Sequence, residues 1–249
     1  MQSALYVGLS AQVALEKRLQ TIANNVANVN TSGFRTDVVK FETVLSKAGA
    51  NPVAFSSPGD NIISRELGNI TETGNPLDVA VVGQGWIAFA GPNGTVYTRD
   101  GRLQIAANGD LQTVTGFPVV DAGGAQITLD PNGGAVAISR SGAITQDNNE
   151  IGTIGLFSIP ADANLERYGN SGVTPDRPAT AIADFSRDGF KQGYVEGSSA
   201  NPMAELTKLM AASRAFDGTN SMIEGTEGSL QNAIRTLGDP GRQTAPRAH

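Results

Sequence analysis

Five aspartates recur along the middle of the chain: Asp100, Asp110, Asp121, Asp130 and Asp147. Two carboxyl groups at a suitable separation are what glycoside hydrolysis needs, one as acid and one as base or nucleophile. Each of these five sits in a run marked by glycine or asparagine. There aspartate is favoured because its side chain hydrogen-bonds the backbone of its own turn, and the turn role is the expected one. The sole histidine, His249, is the last residue. A Ser-His-Asp triad and a histidine metal site are therefore not expected. With no cysteine in the chain, disulfides, thiolate nucleophiles and zinc-thiolate centres are excluded. A cysteine-free chain suits an oxidising compartment without requiring one.

Three weaker echoes of binding sites have ordinary explanations. Asp130-Pro131-Asn132-Gly133-Gly134 opens like a calcium loop, but glycine stands at the third ligand position and Ser141 where a bidentate glutamate is needed. Gly83-Gln84-Gly85 lacks the third glycine of a nucleotide loop and runs into strand-like Trp86-Ile87-Ala88-Phe89 rather than a helix. Trp86, the single tryptophan, is a conceivable sugar platform, but an anchor in a β core is the expected role. No catalytic residue, cofactor site, metal ligand or cofactor is assigned. A carboxylate-dependent glycoside hydrolase and a carbohydrate-binding β module remain as weaker alternatives.

The elements that would position such residues follow from composition and period. The 249 residues are 39% hydrophobic but 6% aromatic, with 30 glycines and 17% charged residues. That balance favours a turn-rich β fold with few bulky core residues. The net charge of -6 and the lack of a basic stripe argue against a nucleic-acid partner. The first residues, Met1 to Leu9, have no basic region, and Ser10, Gln12, Glu16 and Lys17 soon break their apolar character. This is a poor cleavable signal peptide. No run approaches the ~20 apolar residues of a membrane span, so no membrane insertion is expected.

Residues 3 to about 29 read as a helix. Leu15, Leu19, Ile22, Val26 and Val29 recur at alternating spacings of four and three. Leu5, Leu9 and Val13 continue at spacings of four, so the stripe drifts around the helix. Asn24, Asn25, Asn28 and Asn30 crowd its end, and Gly33 and Phe34 follow. Gly33 is expected to need a positive φ or a close backbone approach. Residues 36–80, punctuated by Asn51-Pro52, Ser56-Ser57-Pro58-Gly59 and Gly74-Asn75-Pro76, read as an extended connector with short strands.

Residues 81–197 read as β. Asn93-Gly94, Asp100-Gly101, Asn108-Gly109, Gly123-Gly124, Asn132-Gly133 and Ser141-Gly142 mark turns between short runs. Leu103, Ile105, Leu111 and Thr113 alternate about Asn108-Gly109 as a hairpin should. Residues 153–158 form another strand candidate. Residues 201 to about 237 return to helix, with Leu209, Phe216, Ile223, Leu230 and Leu237 every seven residues. The companion positions expected beside that stripe are Leu206, Ser213, Asn220, Glu227 and Ile234, three of them polar. Gly218, Gly225 and Gly228 each weaken such a helix by about 1 kcal/mol relative to alanine. A helix of this kind wants partners.

The segment Ala23-Asn24-Asn25-Val26-Ala27-Asn28-Val29-Asn30-Thr31-Ser32-Gly33-Phe34 resembles the N-terminal signature of the flagellar rod and hook family. Further matches lie in order downstream: Asn75-Pro76-Leu77-Asp78-Val79-Ala80 with Gly83-Gln84-Gly85-Trp86, then Tyr97-Thr98-Arg99-Asp100-Gly101, Gly109-Asp110-Leu111 and Gln192-Gly193-Tyr194-Val195-Glu196-Gly197-Ser198. Within the family, Leu5-Tyr6-Val7-Gly8-Leu9-Ser10 and the length resemble a proximal-rod component, with a distal-rod or hook sibling as the alternative. Two segments depart from the usual pattern, at Ser198-Ser199-Ala200-Asn201-Pro202 and at Ser213-Arg214-Ala215-Phe216-Asp217.

The resemblance implies an α+β fold. Its N- and C-terminal helices pair into an inner helical-tube domain, its central domain is all-β, and an extended connector joins them. The boundaries are 1–35 for the N-terminal helix, 36–80 for the connector, 81–197 for the β domain, 198–238 for the C-terminal helix and 239–249 for a polar tail. The resemblance also implies a non-enzymatic, torque-transmitting shaft for motility, assembled from copies of the chain and other rod proteins. Export would run through the flagellar type III apparatus, without a cleaved signal, to the periplasmic space. Leu15, Leu19, Ile22, Val26, Val29, Leu209, Phe216, Ile223, Leu230 and Leu237 would then form the assembly interface.

Overall fold

A computed structural model of the chain describes residues 2–46 and 53–238. The Asn51-Pro52 turn and the polar tail with His249 lie outside the described residues. A helix at each end, α1 (Gln2–Ala27) and α2 (Pro202–Gly238), brackets seventeen strands. They are β1 (Asp37–Ser46), β2 (Val53–Ile63), β3 (Ile70–Glu72), β4 (Val79–Val82), β5 (Trp86–Gly91), β6 (Gly94–Thr98), β7 (Leu103–Ile105), β8 (Leu111–Thr113) and β9 (Val136–Ile138). They continue with β10 (Ala143–Gln146), β11 (Asn149–Thr153), β12 (Leu156–Ser158), β13 (Leu165–Tyr168), β14 (Gly172–Pro175), β15 (Thr180–Ala181), β16 (Gly189–Gln192) and β17 (Tyr194–Glu196). The fold is α+β, with terminal helices around antiparallel strands.

The described chain divides into two compact units. One is drawn from residues 1–22, 39–60 and 207–249, the other from 23–38 and 61–206. In the first, α1 and α2 meet: a Cβ placed on Gly8 would lie 3.1 Å from Cγ1 of Ile223. The second is centred on a six-stranded antiparallel sheet of order β13-β14-β6-β5-β12-β15. Strand β5 is buried on both faces, as an unbroken apolar run in mid-sheet should be. Ile87 packs on one side with Val79, Val81, Leu111 and Ile144, while Trp86 and Ala88 pack on the other with Tyr97, Phe157 and Val173. Trp86 is thus a core anchor, 4% exposed.

The stretch expected to hold short strands carries the long hairpin β1–β2 instead, and then β3 and β4, which pair with β17 and β16. The Asn108-Gly109 hairpin forms with Leu103 opposite Thr113 and Ile105 opposite Leu111. The strand read at 153–158 is interrupted. Gly155 lies where a Cβ would come within 2.7 Å of the Asp121 carbonyl carbon, and β12 starts after it.

The helix ends follow from local chemistry. At the start of α2, the Asn201 side chain accepts from the Ala204 N–H at 3.1 Å and its carbonyl accepts from Glu205 at 2.9 Å. Asn201 is therefore the N-cap, Pro202 takes the first helical position, where its missing N–H costs nothing, and Glu205 lies in the positive first turn. At the end of α1, Asn28 donates to the Asn24 carbonyl at 2.9 Å. The chain then turns until Gly33, at φ +69, where a Cβ would sit 2.2 Å from the Asp100 nitrogen. Gly33 meets both expected conditions at once.

Gly33→Ala should destabilise the chain by well over 1 kcal/mol, combining the left-handed penalty of about 1–2 kcal/mol with a backbone clash. Gly74 has nearly the same φ, +73, with open space around it. Gly74→Ala should cost the conformational part alone. Equal shifts of the two urea midpoints would contradict the close-approach role of Gly33.

Candidate functional site

In the second unit one carboxylate gathers segments from the two ends of the chain. Glu196, at the end of β17, is ion-paired through Oε1 with Arg35 Nη2 at 2.8 Å and through Oε2 with Arg99 Nη2 at 2.6 Å. All three side chains are at most 2% exposed. Oε1 also accepts from the Gly68 N–H at 2.8 Å, and the Glu196 carbonyl accepts from Gly33 at 2.8 Å. Arg99 donates further to the carbonyls of Val81, at 2.9 Å, and Gly85. Arg35 donates to the Glu66 carbonyl and lies 5.6 Å from the Trp86 ring centroid.

Two guanidinium groups share one carboxylate, so the cluster carries an unbalanced positive charge. Burial pulls Arg35 down to about 10, against the raising effect of Glu196. Burial likewise lowers Arg99. The Arg35 Nε is buried without a hydrogen-bond partner, and the electron-rich Trp86 face nearby compensates in part.

A second junction sits at the end of α1. Asn25, 3% exposed, pairs with the Asp37 backbone as a strand would: its Oδ1 accepts from the Asp37 N–H at 2.9 Å and its Nδ2 donates to the Asp37 carbonyl at 2.9 Å. The same amide donates to Glu205 on α2 at 3.2 Å. Asn24 donates to the Asp37 carboxylate at 3.0 Å, and Arg167 holds that carboxylate through Nε at 3.2 Å and Nη2 at 2.6 Å. The Arg167 guanidinium also lies 4.5 Å from the ring centroid of Phe34, which is fully buried. Ser199 closes the joint, its N–H donating to the Phe34 carbonyl at 3.0 Å and its Oγ accepting from the Thr36 N–H at 3.0 Å.

The motif residues Asn24, Asn25, Gly33 and Phe34 thus lie in one junction, Asn28 finishes the helix, and Asn30 is exposed. Arg35, Arg99, Arg167 and Glu196 were not among the residues singled out from sequence. Three of the four sit in or directly after the motif segments. Arg35 and Glu196 each stand alone in an otherwise uncharged run, which was the signal that could have found them.

Of the two apolar stripes, Ile22 is buried, and Leu15, Leu19, Val26 and Val29 are half-buried. Leu209, Phe216, Ile223 and Leu230 are half-buried, and Leu237 is 88% exposed. The companion positions differ in part from those expected: Asn220 is half-buried, but Ser213 and Glu227 are exposed. Leu206 and Ile234 are 42% and 69% exposed, whereas Ala212 is buried and Thr219 and Thr226 are half-buried. On α1, Gly8 lets Ile223 approach closely. Leu9 and Val13, where the stripe drifts, are exposed with Tyr6 on the outer face of α1.

Four of the five turn aspartates accept from backbone N–H groups. Asp121 Oδ1 accepts from the N–H groups of Gly123 and Ala125, each at 2.8 Å. Asp130 accepts from Asn132 at 2.9 Å, Asp147 from Gly134 at 3.0 Å, and Asp100 from Arg102 at 3.2 Å. Asp110 pairs with Asn108 and Thr128. Among the described residues no group of three or more acids or histidines is placed to hold a metal ion.

Glu196→Gln should destabilise the full chain by about 3–5 kcal/mol, because it leaves two buried cations without a counter-charge. Arg35→Met should cost less, since it leaves the neutral Arg99–Glu196 pair in place. Guanidinium unfolding of both variants tests this order, and a milder effect from Glu196→Gln would contradict it.

Three family models match the chain in sequence: the flagella basal body rod protein at residues 5–35, the flagellar hook protein FlgE/F/G D1 domain at 80–146, and the flagellar basal body rod FlgEFG protein C-terminal at 191–236. The chain is 47% identical to the flagellar basal-body rod protein FlgF of Mesorhizobium japonicum, over 96% of this chain and 99% of that protein. It is 41% identical to FlgF of Rhizobium meliloti over the same shares. To the rod protein FlgG of Agrobacterium fabrum it is 30% identical, over 88% of this chain and 94% of that protein. The chain belongs to the flagellar basal-body rod protein family.

Proposed function

We propose that this chain is a non-enzymatic structural subunit of the proximal part of the flagellar rod. Its terminal helices build a hollow shaft that transmits torque, and its β domain packs outside them. Near-full-length identity to proteins named FlgF, higher than to the FlgG relative above, favours the proximal position. In this reading residues 1–35 and 198–238 form the inner domain, 36–80 the connector and 81–197 the outer β domain. The partners are further copies, other rod proteins and, in transit to the periplasmic space, the type III export apparatus. Among the described residues no helix is long and apolar enough to cross a membrane.

One observation carries the reading: the helix pair leaves much of its own apolar surface uncovered. Tyr6, Leu9 and Val13 on α1 are 60%, 52% and 49% exposed, and Met210, Met222, Ile234 and Leu237 on α2 are 55% to 88% exposed. A monomer rarely leaves such stripes in water unless they meet a partner. Leu15, Leu19, Ile22, Val26, Val29, Leu209, Phe216, Ile223, Leu230 and Leu237 are the proposed interface. Their inward sides pair the two helices, and neighbouring subunits complete the burial. A helix gains most of its stability from packing an apolar face, so residues 203–237 should order fully only on assembly.

Ile223→Asp places a charge against Gly8 in the seam. It loses about 1.5–3 kcal/mol of burial and adds the cost of a desolvated carboxylate. The variant should remain a soluble monomer with native-like β circular dichroism, fail to enter rods and abolish motility. Motile flagella built from it would overturn the interface. Strong hydrogen-exchange protection of residues 203–237 in the wild-type monomer would overturn assembly-coupled ordering.

A further inference from the structure

A cleft of about 270 Å³ opens in the second unit, lined by residues from the α1 exit turn, the β5–β6 hairpin, the β7–β8 hairpin and the β13–β14 turn. One wall is aromatic. Phe89 and Phe117 stack at 5.5 Å and 21°, and Tyr168 meets Phe117 edge-on at 6.0 Å. Phe89 is buried, whereas Phe117 and Tyr168 are half-buried. Val114, 45% exposed, adds an apolar lip.

The opposite side is polar and electrically balanced. Arg102 pairs with Asp100 through Nε at 2.9 Å and Nη2 at 2.7 Å, which leaves its Nη1 without an acceptor among the described residues. Tyr168 and Asn170 also line the cleft, and among the described residues the Tyr168 hydroxyl and the Asn170 side-chain amide have no hydrogen-bond partner. A ligand that fits has one apolar face for the rings and an edge rich in neutral donors and acceptors for the amide, phenol and guanidinium. It also carries no net charge. Its size is that of one ring with a small substituent, at the lower end of ligand-pocket volumes.

We propose that this cleft binds a neutral pyranose sugar. The ring's C–H face lies on Phe117, and its hydroxyl edge meets Asn170, the Tyr168 hydroxyl and the Arg102 guanidinium. The apolar lip at Val114 favours a sugar bearing an N-acetyl group over an unsubstituted one. Trp86 takes no part, being buried in the core. Sugar binding here neither requires nor excludes incorporation into a rod.

The test is a titration of the isotope-labelled full chain with the N-acetylglucosamine disaccharide, followed by amide chemical shifts, with maltose as the unsubstituted control. The expected result is saturable shifts at residues 113–117 and 168–172, with weaker binding of maltose. Tyr168→Phe and Asn170→Ala, both at half-buried or exposed positions, should leave the spectrum otherwise native and weaken binding about threefold to tenfold each, the worth of one hydrogen bond. Absence of saturable shifts would overturn the proposal, as would unchanged affinity in both variants. It would also fall if the same residues shift on raising protein concentration alone, which would mark the cleft as a socket for an apolar side chain of a second copy.

Discussion

The second unit is organised around a single buried carboxylate shared by two guanidinium groups. Glu196 cannot be left unpaired in an apolar interior, and neither can Arg35 or Arg99. Satisfying all three brings the turn after α1, the β6–β7 turn and the end of β17 to one point. The backbone follows the charges: Gly33 donates to the Glu196 carbonyl, and Ser199 to the Phe34 carbonyl. The last residues before α2 are thereby laid against the first residues after α1. Asn25 and Glu205 continue that contact into the helices themselves. The end of α1 and the start of α2 thus meet in this unit.

Such a cluster is poor evidence of net stability, because desolvation opposes most of the Coulombic gain. Its value is in register. A hydrophobic joint of the same volume would tolerate sliding of residues 33–37 past residues 196–199, whereas the paired charges and Asn25's two bonds to Asp37 permit one alignment. The helix pair contrasts with it. There Gly8 lies against Ile223, and large apolar side chains are left outside. One unit is thus held in register by paired charges, and the other leaves apolar side chains for the proposed neighbours to cover.

Much of this was legible in the sequence because it is local. The hairpin at Asn108-Gly109 follows from alternation and a turn dipeptide, the helices from their stripes, and the positive φ at Gly33 from its place after the asparagine-rich exit. What was not legible depends on distant partners. Which side of α2 is covered depends on what packs against it, so Ala212, Thr219 and Thr226 are covered while the larger Leu206 and Ile234 are exposed. The Glu196 cluster unites residues from three separate motifs, and no local period marks it. The break at Gly155 reflects the passing Asp121 backbone, which the strand's own sequence cannot announce. The cleft beside Phe117 and Tyr168 likewise exists only once four separate segments are folded together.

The account rests on the claim that neighbouring subunits cover the outer faces of α1 and α2. A cryo-EM map of the assembled basal body at side-chain resolution tests it most directly. The account predicts that both helices line the shaft and that Tyr6, Leu9, Val13 and Leu237 are buried against adjacent subunits. A map in which those four side chains remain in solvent, or in which the β domain alone makes the contacts between subunits, would contradict it.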